Sequence, residues 1–357
     1  MAQPQNRGPS PSPRVLIAAG GTAGHVVPAL AVAGELRARG AHVQFAGGER
    51  IEAQLVPEAG YVLHRYPISG FPRKPSPKLV AAMWRAGQAP FRCRRIIREV
   101  EPDVVFGAGG YASGPVLAAA RSARIPSALL EVDAHMGLAN RMAAPLVDCV
   151  FLSFPIEGKR PPHYVVTGRP LPERGPDGHG LDLDSGRPMV LVFGGSLGAR
   201  TLNEAASGAW ADKDPGFTVV HVTGEREFDR YGAAASARYH VLPYTPHLRD
   251  YLEQADLVVA RAGGSVFEIA AAGKPSILVP SPNVTADHQT RNAEHFALGG
   301  AAVMVSDADL TPTRLRQEVN ALLADHERRE RMAVAAVRLA RPDAASVIAD
   351  HLLELAP

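Results

Sequence analysis

Arg14-Val-Leu-Ile-Ala-Ala-Gly-Gly-Thr-Ala-Gly-His25 and Met189-Val-Leu-Val-Phe-Gly-Gly-Ser-Leu-Gly-Ala-Arg200 repeat one pattern about half a chain length apart. Each is an apolar run of strand length, then Gly-Gly-(Thr/Ser)-x-Gly, then a helix-like stretch. Glycines at a strand-to-helix turn let the backbone approach a ligand, and the helix behind them offers free N–H groups to an anion. Two such turns in 357 residues predict two nucleotide-type α/β domains facing one cleft.

Outward from these turns the rhythm holds. Apolar runs at 14–19, 42–46, 62–66, 103–106, 127–130, 149–153 and 164–167 predict strands, with helical stretches such as 27–39 and 114–122 between them. They are too uniformly apolar to alternate, as parallel strands buried on both faces are. Residues 168–188, rich in Pro, Gly and Asp, read as a linker. The rhythm restarts at 190–193, 218–222, 240–242, 257–260, 276–279 and 302–305, and is mostly helical from 311. The fold class is therefore α/β, with two doubly wound domains over 14–167 and 189–342. Pro342 separates a last helix, about 343–357, expected to pack back on the first domain.

Bulk properties narrow the function. A hydrophobic fraction of 46% and a charged fraction of 21% are those of a globular protein. A net charge of +2 is too mild to argue for a nucleic-acid partner. Two cysteines, Cys93 and Cys149, have no metal or redox spacing and fit a reducing compartment. No apolar run has the roughly 20 residues that span a bilayer. Residues 1–13, Pro/Gln/Ser-rich without an apolar stretch, read as a disordered tail.

Several turns concentrate polar groups where strands should end, the place where ligands bind in open α/β sheets. Gly20-Gly-Thr-Ala-Gly24 lacks the glycine phase of a dinucleotide fingerprint, although Glu49 follows the second strand. His25 at its helix entrance is either a general base or phosphate ligand, or an ordinary cap-region residue. Gly107-Ala-Gly-Gly-Tyr-Ala-Ser-Gly-Pro115 is a second glycine turn in the same half, suited to a pyrophosphate, with Ser113 and Pro115 as helix-start signals. Glu131-Val-Asp-Ala-His-Met-Gly-Leu-Ala-Asn140 makes Asp133 a second base candidate, or a helix N-cap. In the second half Gly194-Gly-Ser196 offers N–H groups and a hydroxyl to phosphate. Arg261-Ala-Gly-Gly-Ser-Val-Phe-Glu268 places a carboxylate where it can accept from a ribose diol. Asp287 and Gln289 are suited to neutral sugar hydroxyls; Asp287-His288 lacks metal-ligand spacing. Residues 68–98 mix Leu79, Val80, Met83, Trp84 and Phe91 with Lys74, Lys78, Arg85, Arg92, Arg94, Arg95 and Arg98. They suit either an anionic membrane surface or a helix packed on the sheet with a solvated basic face.

Taken together, in order and spacing, the stretches 20–25, 68–70, 109–115, 137–141, 194–199, 263–273 and 287–293 resemble the MurG family of bacterial peptidoglycan synthesis. The resemblance implies two Rossmann-like domains in the GT-B arrangement. It implies a peripheral enzyme at the cytoplasmic face of the cell membrane. That enzyme moves N-acetylglucosamine from UDP-GlcNAc, with inversion, to a polyprenyl-pyrophosphate-linked muramoyl peptide (lipid I), giving lipid II. UDP-GlcNAc is a substrate, and no cofactor or metal is obligatory. By position, Thr22, Ala23 and Gly24 line the donor-sugar side, with Asp133. Ser196 meets the donor diphosphate, Thr245 the uracil, and Gln289 the sugar. Gly263, Gly264, Ser265, Val266, Phe267 and Glu268 hold diphosphate and ribose. Gly109, Gly110 and Tyr111, with Ser113 and Asn140, form the acceptor-diphosphate side. His25 and Asp133 are the catalytic candidates, and Phe71, Lys74, Lys78, Met83, Trp84 and Arg85 the membrane-facing ones.

The chain departs from the family twice. It has Glu131-Val132-Asp133 where Glu-Gln-Asn is usual, and Gly168-Arg169-Pro170-Leu171-Pro172 where Gly-Asn-Pro-Val-Arg is usual. Arg169 is the candidate to reach the phosphate the missing arginine would meet. Two other readings stand beside transfer to lipid I: another GT-B UDP-sugar enzyme (a glycolipid glycosyltransferase or UDP-GlcNAc epimerase), and a non-catalytic nucleotide-sugar-binding scaffold.

Overall fold

The structure, a computed structural model, describes residues 12–68, 77–172, 186–195, 198–245, 247–284 and 287–357, with only the backbone path over 77–87. Among these residues thirteen strands occur: β1 Arg14–Ala18, β2 His42–Gly47, β3 Val62–Arg65, β4 Val104–Gly107, β5 Ser127–Glu131, β6 Cys149–Leu152, β7 Tyr164–Val166, β8 Met189–Phe193, β9 Thr218–Val222, β10 Tyr239–Leu242, β11 Leu257–Ala260, β12 Ser276–Leu278 and β13 Ala302–Met304. The helices of the first half are α1 Ala23–Ala38, α2 Glu52–Glu58, α3 Pro77–Val100, α4 Ser113–Ala123 and α5 Leu138–Ala143. Those of the second are α6 Arg200–Trp210, α7 Phe228–Tyr231, α8 Leu248–Gln254, α9 Val266–Ala271, α10 His288–Leu298, α11 Pro312–Ala324, α12 His326–Ala340 and α13 Ala344–Leu355.

The strands form two all-parallel sheets, in the orders β3-β2-β1-β4-β5-β6-β7 and β10-β9-β8-β11-β12-β13. Both are doubly wound, the α/β class expected from the apolar runs. In β1 the side chains of Val15 and Ile17 enter one core layer and those of Leu16 and Ala18 the opposite one. Both faces are covered, which is why the run carries no polar alternation.

The chain divides into two compact units. The first holds residues 1–132, 136–172 and 343–357; the second holds 133–135 and 173–342. In the first, α13 lies against α1: Ile348, Ala349 and Leu352 join the core layer of Val26, Ala29 and Leu36. Arg39 clamps the pair, bonding Asp350 at 2.8 Å and Ser346 at 2.7 Å. The break before α13 falls at Arg341, in the left-handed region at φ 46°, followed by Pro342. The first helix begins at Ala23, four residues earlier than the periodicity predicts. Thr22 is extended at φ −139° and ψ 157° and acts as its N-cap, so the glycine turn feeds directly into the helix.

Candidate active site

Each sheet reverses its winding direction once, between β1 and β4 in the first and between β8 and β11 in the second. At such a point neighbouring loops leave in opposite directions and open a crevice at the strands' carboxyl ends. All four glycine turns sit there. Residues 19–22 follow β1 and 108–112 follow β4; 194–199 follow β8 and 261–265 follow β11.

In the first unit the two turns interlock. The His25 ring lies on the backbone of Gly109 and Gly110: a Cβ at Gly109 would stand 2.9 Å from His25 Nδ1, and one at Gly110 3.2 Å from its Cδ2. Both glycines have positive φ, 92° and 74°, which L side chains rarely adopt, so a substitution there is strained on both counts. Thr22, Ala23 and Gly24 are exposed and His25 is half-buried. The Thr22 hydroxyl makes no cap hydrogen bond, and a helix start leaves its first N–H groups without intrahelical partners. Ser113 starts α4 and turns inward, its hydroxyl shared between the Ala18 carbonyl at 2.9 Å and that of Gly109 at 2.8 Å. It therefore ties the two turns together. Buried Tyr66 donates to the Ala112 carbonyl from behind. Burial pushes the Tyr111 phenol above its ordinary pKa, opposed by nearby Arg50, so it stays protonated at neutral pH.

The loop after β5 is fixed by buried acid–amide pairing. Asn140 donates to Glu131 Oε2 at 2.9 Å and to the Leu130 carbonyl at 3.1 Å, and the Gly137 N–H donates to Glu131 at 3.0 Å. The N-cap of α5 is Gly137, so Asp133 is not that cap. Asp133–His135 group instead with the second unit. There Ala134 N–H donates to Asn292 Oδ1 at 3.0 Å, and Asn292 Nδ2 approaches Asp133 Oδ1 at 3.5 Å.

Arg169 has a contact the sequence reading did not foresee. Pro28 sits inside α1 and lacks the N–H that would bond the Gly24 carbonyl four residues back. The guanidinium of Arg169 takes that carbonyl at 2.8 Å and reaches Val132 O at 3.4 Å, from a site only 7% exposed. Arg169 thus fills a proline-made gap at the start of α1. Arg169→Ala is expected to cost about 1–3 kcal/mol through the stranded polar groups. Urea unfolding followed by a probe in the first unit checks this; an unchanged midpoint refutes it.

Glu52 escaped the sequence reading. The first residue of α2, it is wholly buried. Its two oxygens accept from the Gly21 and Gly48 N–H groups, each at 3.0 Å. The Gly21 N–H, expected to face an anion, is therefore spent inward. The only local sign is Gly48-x-x-x-Glu52; the partner at Gly21 is 31 residues away.

In the second unit Ser196 lies outside the described residues. Gly198, at φ 79°, passes so close to the chain just after β9 that a Cβ would collide with the Thr223 carbonyl. After β11, Gly263, Gly264 and Ser265 are partly exposed, Val266 and Phe267 are buried in α9, and Glu268 is half-buried in its first turn. Gln289 brings two motifs together: its Oε1 accepts from Ser281 N–H at 2.9 Å, and its Nε2 would lie 3.7 Å from a Cβ on Gly263. Asp287, left-handed at φ 51°, precedes α10 and accepts from Thr290. Wholly buried Asn292 donates to the Ala262 carbonyl at 3.1 Å and so fixes the end of β11. Arg261, also unassigned by sequence, pairs with Asp307 at 2.5 Å and bonds the Val279 carbonyl at 3.2 Å. Thr245 accepts from His247 N–H at 3.0 Å in the loop after β10.

Of the membrane candidates, Phe71 and Lys74 lie outside the described residues, and Lys78, Met83, Trp84 and Arg85 fall on the backbone-only part of α3. Further along α3, Cys93, Ile96, Ile97 and Val100 pack inward, while Phe91 is 72% exposed among exposed Arg92, Arg94 and Arg95. Among the described residues no helix is long and apolar enough to cross a membrane.

Comparisons with known proteins align with this geometry. Residues 15–152 match the glycosyltransferase family 28 N-terminal domain, and 189–348 its C-terminal domain. The chain is 40% identical over 354 residues to the UDP-N-acetylglucosamine--N-acetylmuramyl-(pentapeptide) pyrophosphoryl-undecaprenol N-acetylglucosamine transferase of Pseudomonas putida (strain GB-1), covering 96% of this chain and 98% of that one. It is 39% identical over 362 residues to the enzyme of the same name from Anaeromyxobacter sp. (strain Fw109-5), covering 96% and 93%. The crystal structure of Acinetobacter baumannii MurG superposes with a TM-score of 0.79 at 30% identity, covering 96% of this chain and 99% of that one.

Proposed function

We propose that this chain, which belongs to the MurG family of family 28 glycosyltransferases, moves N-acetylglucosamine from UDP-GlcNAc to the muramoyl-pentapeptide pyrophosphoryl-polyprenol acceptor, giving lipid II for peptidoglycan. The observation that carries this reading is identity near 40% across 96% of the chain with transferases of that name. Four glycine turns at two switch points support it, since both substrates carry a diphosphate.

The acceptor C4 hydroxyl attacks the anomeric carbon, the C–O bond to UDP breaks, and a base takes the hydroxyl proton. His25 is the assigned base and Asp133 the alternative. The UDP leaving group is stabilised by N–H groups of the second unit's turns, whose donors are fixed before reaction and need no reorganisation. Glu268 accepts from the ribose diol, and Gln289 and Asp287 read the sugar. Gly109–Tyr111 take the acceptor diphosphate.

Purified chain, radiolabelled UDP-GlcNAc and a short-chain lipid I analogue test the reading directly. Labelled disaccharide lipid is expected, and its absence sinks the proposal. Consumption of UDP-GlcNAc without acceptor would point to an epimerase instead, and tight binding without turnover to a scaffold.

We further propose that the basic and apolar residues Phe71, Lys74, Lys78, Met83, Trp84 and Arg85 meet an anionic membrane surface, and that the enzyme works at the cytoplasmic face of the cell membrane. Arginines around exposed Phe91 extend that chemistry. The chain is expected to co-sediment with anionic vesicles and to detach as salt shortens the Debye length from about 10 Å at 0.1 M toward about 3 Å at 1 M. Equal binding to zwitterionic vesicles would remove the electrostatic part.

A further inference from the structure

We propose that Glu52 is a positioning residue for sugar transfer: its carboxylate sets the glycine turn at 20–24, and through it the place of His25. The proposal rests on the transferase reading above.

Three observations carry it. The carboxylate is wholly buried, yet both oxygens are used, and by two different turns: Gly21 after β1 and Gly48 after β2. Glycines leave the space it fills. A Cβ at Gly20 or at Gly48 would stand 2.8 Å from Oε1, and one at Gly47 3.1 Å from Cγ. Finally, Gly21 is pinned from its other side, where a Cβ would meet Tyr111 Cε1 at 2.9 Å. Tyr111 directly follows the two glycines that carry the His25 ring.

A single side chain thus closes a path from α2 to the base. Charge-assisted bonds to backbone N–H are the stronger kind, and a buried donor left without one is costly. Releasing Gly21 lets the turn shift, and His25 enters its helix only four residues later. A base displaced by about 1 Å can cost about 10²-fold in rate. UDP, held by the second unit, should not sense the change.

The test uses the full chain, a short-chain lipid I analogue and saturating UDP-GlcNAc. Glu52→Gln keeps the shape but sets an NH2 against one of the two N–H donors. Gly48→Ala keeps the carboxylate and crowds it off its partners. Both are expected to lower kcat by about 10²-fold per folded molecule, with UDP affinity by calorimetry within about twofold of wild type. Wild-type kcat in folded Glu52→Gln overturns the proposal; if that variant does not fold, wild-type kcat in Gly48→Ala does so. Activity that merely tracks the folded fraction, or an equal loss of UDP affinity, also overturns it, because Glu52 would then be only structural. A wild-type chain inert toward the acceptor analogue overturns the transferase reading itself, and this proposal with it.

Discussion

His25→Ala in the full chain lowers kcat for transfer by about 10²–10⁴-fold and leaves UDP affinity unchanged, the loss typical of removing a positioned general base. The expectation rests on how the ring is held. It lies on Gly109 and Gly110, whose positive φ and missing side chains make a flat seat for it. The ring is half-buried, so one part is fixed while the rest can meet a substrate hydroxyl. Gly109→Ala should approach the same phenotype without touching the histidine, because its Cβ would fall 2.9 Å from Nδ1 and 3.0 Å from the Leu130 carbonyl. Asp133→Asn separates the two base candidates. Asp133 is grouped with Asn292 in the second unit, where an amide in its place would mainly disturb that contact. If Asp133→Asn abolishes transfer while His25→Ala retains near-wild-type kcat, the base is Asp133.

Most of the architecture was legible because it is written in local pattern. A strand buried on both faces must be a continuous apolar run, as Met189–Phe193 is, and its following turn must be glycine where the backbone comes within contact of a neighbour, as at Gly198. The less legible features join residues far apart in sequence. Glu52 looks like an ordinary acidic helix start until Gly21 is seen to donate to it. The tie of Arg169 to α1 shows only when Pro28 is seen to leave the Gly24 carbonyl, 145 residues away, without its helical donor. The grouping of Asp133–His135 with Asn292 has no sequence signal, since it depends on long-range packing and not on any periodicity.

One buried histidine outside the proposed chemistry is expected to make the second unit sensitive to acid. His221, in β9, is fully buried, with Nδ1 2.6 Å from the Tyr239 hydroxyl and Nε2 3.0 Å from Asn203 Oδ1. Asn203 Nδ2 donates to the Thr223 carbonyl at 2.9 Å, which fixes the amide's orientation. Its oxygen can then only accept, so Nε2 carries the proton and Nδ1 accepts from Tyr239. Neutral imidazole satisfies every partner, and burial pushes its pKa down to about 3. The unfolded chain binds the proton near pH 6.5, so between there and pH 3 unfolding takes up a proton that the folded state refuses. Stability should therefore fall by about 1.4 kcal/mol per pH unit below about 6.5, or roughly 2 kcal/mol by pH 5. His295 on α10, its pKa also lowered by burial, adds to the slope, so the comparison must be with His221→Gln. That variant should be less stable at pH 7 but lose less between pH 6.5 and 5. Equal slopes in urea titrations of the two proteins would discard the assignment. The effect reaches the glycine turn after β8, because the Thr223 carbonyl held by this network is the atom against which Gly198 is packed. Acid should loosen that turn as the network breaks, and saturating UDP should oppose it by about 2.7 kcal/mol at a hundredfold excess over its Kd.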